Sequence, residues 1–121
     1  MKKSYEFYIN EFVEGIIEQE KGIYECRERA YIRKQEKRID KAVEKLRESE
    51  EGIEVFTHLL IHANPRVSLT TAVYLLNTST SKKAVETIKE YAKGPEDSFI
   101  TFCAKLRLED FEKQKADKEE K

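Results

Sequence analysis

Apolar residues recur along this chain at intervals of three and four, the spacing of one face of an α-helix, and they rarely alternate with polar residues. Two prolines, four glycines and no Asn-Gly or Asp-Gly pair leave little material for β-hairpin turns. The first apolar pattern predicts a helix from Ser4, a suitable N-cap, to about Glu20, with Gly22 as its break. We therefore expect an all-helical chain that opens with an N-terminal helix.

The second predicted helix, over residues 23–47, is long and highly charged. Four of its apolar residues fall within a narrow arc when each residue advances by about 100°: Ile32, Ile39, Val43 and Leu46. Its charges form two rows with a spacing of four: a basic row of Arg33, Lys37, Lys41 and Lys45, and an acidic row of Glu36, Asp40, Glu44 and Glu48. Attraction across the rows and repulsion within them nearly cancel at about 0.2–0.5 kcal/mol per pair, so burial of the apolar arc must hold this helix in place. The simpler interpretation of the two rows is a solvated helix face. The alternative is that they form an electrostatic binding surface.

A first helical hairpin is predicted from Ser49 onwards. Ser49 is a suitable N-cap, and the glutamates after it favour the positive end of a helix that should end near Ala63. Asn64 then caps the next helix, and Pro65 occupies its first turn, where a missing N–H costs nothing. One stripe of this next helix should enter the core: Leu69, Ala72, Val73 and Leu76. Another side should pack on the long helix or face a partner: Val67, Thr70, Thr71 and Tyr74.

A second hairpin repeats the first after thirty residues. A helix over residues 82–93 should end at Gly94, and Pro95 should begin another helix. Sliding the sequence by thirty residues superposes six positions: Pro65 on Pro95, Leu69 on Phe99, Ala72 on Phe102, Val73 on Cys103, Leu76 on Leu106 and Val55 on Val85. These matches predict that both sets of residues pack at equivalent places of a helical repeat.

The stretch NPRVSLTTAVYLL, residues 64–76, resembles the second helix of HEAT and armadillo repeats, which opens with a Pro, a Val, a basic residue and a pair of alanines. It keeps Pro65, Val67, Leu69, Ala72 and Leu76. It departs at Ser68, where those repeats have Arg, and at Thr71, where they have the first alanine of the pair. Over residues 50–112 the chain is similar to a bacterial family of short HEAT-like proteins of uncharacterised function, whose members resemble immunity proteins encoded beside secreted toxins. The resemblance implies protein binding without catalysis.

We therefore expect a single helical-repeat domain over residues 1–112, with N-terminal helices over 1–48 and the two hairpins over 49–112. Residues 113–121 should form a frayed, charged tail. Stacked helical hairpins share one core and present a broad surface built from equivalent helices, and such surfaces bind proteins. Our candidate partner contacts are mainly of residue types that anchor many interfaces: Arg66, Tyr74, Lys105 and Arg107.

Composition narrows the function further. Charged residues make up 39% of the 121 residues, but 23 basic and 24 acidic groups nearly cancel, so bulk charge recruits no partner. Only residues 21–50 lean positive, with ten basic and seven acidic residues. Nucleic acid is the alternative partner, through Arg33, Lys34, Lys37 and Arg38. It is the less favoured one, because the neighbouring acidic residues would repel phosphates.

The sequence predicts neither a catalytic site nor a metal or cofactor site. His58 and His62 are one helical turn apart, with Glu54 a further turn back, but no further ligand completes a tetrahedral set. A nucleophile elbow and a phosphate-binding loop are both missing from the sequence. Cys26 and Cys103 lie far apart on apolar helical faces, which favours small core residues in a reducing compartment over a disulfide. Because no apolar run approaches about 20 residues, we expect a soluble, cytoplasmic protein.

Overall fold

The computed structural model describes residues 3–119 of the chain. These residues form six α-helices and one 3₁₀ turn and contain no strand, which confirms the all-helical prediction. The helices are α1 (Tyr5–Tyr24), α2 (Arg29–Leu46), α3 (Glu50–Thr57), α4 (Pro65–Tyr74), α5 (Ser81–Ala92) and α6 (Phe99–Glu119), and the 3₁₀ turn is His58–Ile61. None of the helices in this part of the chain has the length and apolar character needed to cross a bilayer.

The chain divides into two compact units, the first ending at Leu59 and the second beginning at Leu60. The first unit contains α1, α2 and α3, and the second contains α4, α5 and α6. Our prediction that residues 1–112 form one domain stays a prediction.

The first unit is built on a hairpin of α1 and α2 with α3 packed against it. The apolar arc predicted for α2 is buried at Ile39, Val43 and Leu46. Phe12 of α1 and Phe56 of α3 are both fully buried, and their rings meet edge to face with centroids 4.9 Å apart. This geometry places the positive edge of one ring against the negative face of the other, so the pair stabilises the unit beyond its buried area.

The turn between α1 and α2 lies later than the sequence predicted. Helix α1 continues through Gly22 to Tyr24, so the break predicted at Gly22 is wrong. A Cβ atom on the buried Gly22 would lie 3.1 Å from the ring of Tyr31, so this glycine permits close packing of α1 on α2. The chain turns instead at Cys26, whose φ of 54° is left-handed. Cys26 is exposed, so the prediction that it is a core residue is also wrong.

Arg38 connects α2 to α1 through two carboxylates of α1. Its Nη2 donates to Oε2 of Glu11 at 2.5 Å and to Oε2 of Glu14 at 3.0 Å. The hydrogen bond from Arg38 holds the pKa of Glu11 below its ordinary value, and the guanidinium charge adds to this effect. Towards the turn, the hydroxyl of Tyr31 donates to Glu18 at 2.6 Å, and this bond raises the pKa of Tyr31.

Helix α6 departs from the predicted boundaries at both ends. Pro95 does not begin the helix, because it lies in a turn in which the amide of Ser98 donates to the Pro95 carbonyl at 3.1 Å. The helix begins at Phe99, and Oγ of Ser98 accepts from the amide of Thr101 at 3.5 Å. At the other end α6 is helical to Glu119, so the frayed tail predicted for residues 113–121 is wrong as far as that residue. Residues 120–121 lie outside the described part of the chain.

Replacing Phe12 by Ala should destabilise the first unit by about 3–5 kcal/mol, because the change removes a fully buried ring and its edge-to-face partner contact. Tyr24→Ala is the matched aromatic control on the same helix, because Tyr24 is 85% exposed, and it should cost less than about 1 kcal/mol. Urea denaturation monitored by circular dichroism measures both changes. Equal losses from the two variants would contradict the central role of the Phe12 contact.

Replacing Glu11 by Gln should lower the free energy of unfolding at pH 7 by about 0.5–1 kcal/mol, the scale of a partly exposed ion pair. Since folding lowers the pKa of Glu11, its ionised form stabilises the folded state above the ordinary carboxyl pKa. This stabilisation is lost as the pH falls through the lowered value, so the two stabilities should converge below about pH 4. Glu14→Gln, whose side chain is 63% exposed, should have the smaller effect. A Glu11→Gln deficit that persists unchanged at low pH would rule out the ion pair as its cause.

Candidate protein-binding groove

A groove of about 410 Å³ runs between α4 and α6 in the second unit. It is lined by Arg66, Leu69, Thr70, Val73, Tyr74, Phe99, Ile100, Cys103 and Arg107. Three of the four partner contacts predicted from the sequence, Arg66, Tyr74 and Arg107, are among these residues, although they come from helices that are distant in sequence. We call this feature the α4–α6 groove.

Helix α4 is positioned by its cap and by buried hydroxyl groups. Oδ1 of Asn64 accepts from the amide of Arg66 at 2.9 Å and Pro65 occupies the first turn, as the sequence predicted. The hydroxyl of Ser68 donates to the Leu60 carbonyl at 2.5 Å, and that of Thr71 donates to the Val67 carbonyl at 2.7 Å. Both side chains are almost completely buried. The two departures from the HEAT pattern are therefore buried polar groups that are hydrogen-bonded.

The groove combines a mainly apolar lining with charged edges. Leu69 is 6% exposed, and Val73, Ile100 and Cys103 are half-buried. Phe99 is 70% exposed, so most of its ring faces solvent at the side of the groove. With Arg66 and Arg107 added, the lining offers apolar surface next to two guanidinium groups. Such a surface can hold an apolar side chain and pair with a carboxylate beside it.

Lys105, the fourth predicted contact, lies outside the groove. It is exposed on α6, two residues before Arg107. Two residues along an α-helix correspond to a rotation of about 200°, so the two side chains leave α6 on nearly opposite sides. The α4–α6 groove therefore contains Arg107 and excludes Lys105.

The sequence missed an exposed apolar stripe on α6. Phe99, Phe102 and Leu106 are 70%, 56% and 46% exposed, although the thirty-residue repeat matched them to packing positions on the preceding hairpin. The expectation that they are buried is wrong, because the small residues Thr101 and Ala104 occupy the inner face of α6 instead. A Cβ atom on Gly94 would lie 2.5 Å from Oγ1 of Thr101, which shows how closely the α5–α6 turn approaches this face. The small pair, three residues apart, was the signal in the sequence for the inner face.

The two histidines have different surroundings. Nδ1 of His62 accepts from the amide of Asn64 at 3.0 Å, so this imidazole fixes the turn before α4. His58 is exposed. Within residues 3–119, no three His, Cys, Asp or Glu side chains are grouped so that they could hold a metal ion. Cys103, in the groove, is a free thiol.

Comparison with known proteins adds no family to this description, because no family model, curated protein or solved structure matches the chain.

Changes at Ser68 should separate the cost of a lost hydrogen bond from that of a buried charge. Ser68→Ala should cost about 1–2 kcal/mol, because the Leu60 carbonyl loses its buried hydroxyl donor. Ser68→Arg, which introduces the residue that HEAT repeats carry at the corresponding place, should unfold the second unit, because the guanidinium would enter a site that is 1% exposed. Ser79→Arg, at an exposed position, is the control. Thermal denaturation of the three variants measures these effects, and a stable Ser68→Arg protein would show that the site opens to solvent.

Proposed function

We propose that this chain is a non-enzymatic protein-binding module and that its α4–α6 groove holds an apolar segment of the partner flanked by carboxylates. The observation that carries this proposal is the convergence of Arg66, Tyr74 and Arg107 on one groove. Arg and Tyr are enriched among the residues that contribute most to protein interfaces, especially where they surround an apolar pocket.

The exposed apolar stripe of α6 is a second observation in favour of a binding surface on this side of the second unit. Phe99, Phe102 and Leu106 are spaced by three and four residues, so they lie on one side of the helix, and Phe99 also lines the groove. Contiguous exposed apolar surface on a folded protein commonly marks an interaction site. Covering Phe99 alone would remove most of a phenyl ring from water, worth roughly 1.5–3 kcal/mol. The apolar stripe would supply affinity, and the two arginines would select the partner by charge.

We further propose that the partner is a secreted bacterial toxin and that this chain is its immunity protein. The resemblance of residues 50–112 to short HEAT-like proteins supports this class. In this role the chain would neutralise the toxin by covering its active site, a task that needs a binding surface and no catalytic group of its own.

The double variant Arg66→Glu with Arg107→Glu should bind the product of a neighbouring toxin-like reading frame at least about 30-fold more weakly, a loss of roughly 2 kcal/mol. A glutamate near the start of α4 interacts favourably with the positive end of the helix dipole, so the change at position 66 should not weaken the helix. Titration calorimetry with the purified toxin-like protein measures the dissociation constants.

Lys105→Glu is the matched control, because Lys105 lies on the same helix as Arg107 and outside the groove. It should change the dissociation constant by less than about twofold, because Lys105 does not line the α4–α6 groove. If Lys105→Glu weakens binding as much as the double variant does, the α4–α6 groove is not the contact surface.

A further inference from the structure

We propose that a second surface, the groove between α1 and α2 in the first unit, binds single-stranded nucleic acid through its phosphate backbone. Two depressions of about 300 Å³ and 770 Å³ share Lys3, Tyr8 and Lys41, so they are parts of one groove. Lys34, Lys37 and Lys45 also line it. We call this feature the α1–α2 groove; it belongs to the first unit, whereas the α4–α6 groove proposed for protein binding belongs to the second.

The packing of α2 separates its basic row from most of its acidic row. Lys37, Lys41 and Lys45 border the α1–α2 groove. Asp40 and Glu44 instead line a neighbouring depression, which shares Glu48 with the groove. From the sequence alone these acids stand among the bases, where they would repel phosphates. The structure weakens that objection for Asp40 and Glu44, because they do not line the groove that holds the lysines.

The carboxylates that do line the groove are paired. Glu11 accepts from Arg38 at 2.5 Å, and Glu48 lies 3.5 Å from the ammonium of Lys45. Among residues 3–117, whose side chains the structure describes, no carboxylate oxygen lies within 4 Å of the ammonium groups of Lys34, Lys37 and Lys41. All three lysines are exposed. The groove therefore carries unneutralised positive charge, although the whole chain has a net charge of −1.

The lysines follow one line along the helix. From Lys34 to Lys45 the axis of α2 advances about 16 Å, which is the length of roughly five stacked nucleotides at about 3.4 Å each. Sites of about 4–16 nucleotides are usual for proteins that bind single strands without sequence preference. The groove is thus long enough to contact several successive phosphates.

Aromatic rings on α1 favour a nucleic acid over an acidic polypeptide. Phe7 is 36% exposed and meets Tyr8 edge to face with ring centroids 5.2 Å apart. The ammonium of Lys3 lies 4.3 Å above the Phe7 ring, so a cation and an aromatic surface occur together at one end of the groove. Bases stack on such rings whatever their sequence, whereas the carboxylates of a polypeptide would use only the lysines.

The test uses the full chain and a fluorescently labelled deoxythymidine 12-mer in anisotropy titrations at low salt. Lys37→Glu with Lys41→Glu should weaken binding at least tenfold. Lys37→Gln with Lys41→Gln should reduce the slope of log affinity against log salt by about 1.4, because two phosphate contacts are lost at about 0.7 each. Phe7→Leu keeps the charge and should weaken binding at least threefold through lost stacking.

Lys82→Glu with Lys83→Glu is the matched control, since it changes the net charge equally at two exposed positions on α5. It should leave the affinity within twofold of the original chain. An equal loss in this control, or no binding by the original chain, would overturn the proposal. Binding of poly-glutamate with the same affinity and no effect of Phe7→Leu would overturn it in favour of an acidic polypeptide. Arg66→Glu with Arg107→Glu should leave oligonucleotide binding unchanged, so the two surfaces are tested independently.

Discussion

The burial of an inner face on each helix is the constraint on which the rest of this structure depends. With 39% of its residues charged, the chain has few apolar side chains to place in a core, so each helix has little choice of inner face. On α2 that face is Ile39, Val43 and Leu46, all buried. Once these residues are turned inward, the orientation of every charge on the helix is fixed. The i to i+4 pairs on the surface are too weak to choose a different rotation, because each is worth only about 0.2–0.5 kcal/mol.

The same constraint acts through small residues on α6. Thr101 and Ala104 are buried, and the chain at Gly94 approaches Thr101 too closely for a Cβ atom. Close packing at this face favours small side chains, so the large apolar residues of α6 are left on its outer side. Phe99 thereby lines the α4–α6 groove beside Arg107. The exposed aromatic surface is thus a consequence of how the helix packs, and it is also the feature most useful for binding a partner.

Particular residues show how far the sequence predicts this structure. Local signals were reliable where a side chain accepts a hydrogen bond from an amide two or three residues later, as at the Ser49 and Asn64 caps. The apolar arc of α2 was also recovered, because a long amphipathic pattern has one clear phase. The start of α6 was not predicted correctly, since proline is as common in a β-turn as in the first turn of a helix, and Pro95 lies in a turn. Three of the four candidate contacts share a groove, but the sequence alone could not separate Lys105 from them, because that depends on the rotation of α6.

A net charge close to zero is a poor guide to the ligands that such a chain can bind. At physiological salt, charges on the surface are screened over about 8 Å, so a ligand responds to the groups in its own groove rather than to the net charge of −1. In the α1–α2 groove the lysines supply the charge for the proposed nucleic-acid ligand, while Asp40 and Glu44 line a neighbouring depression. In the α4–α6 groove two arginines flank apolar side chains instead. The balance of 23 basic and 24 acidic residues is consistent with two cationic surfaces because helix packing sorts the charges by face.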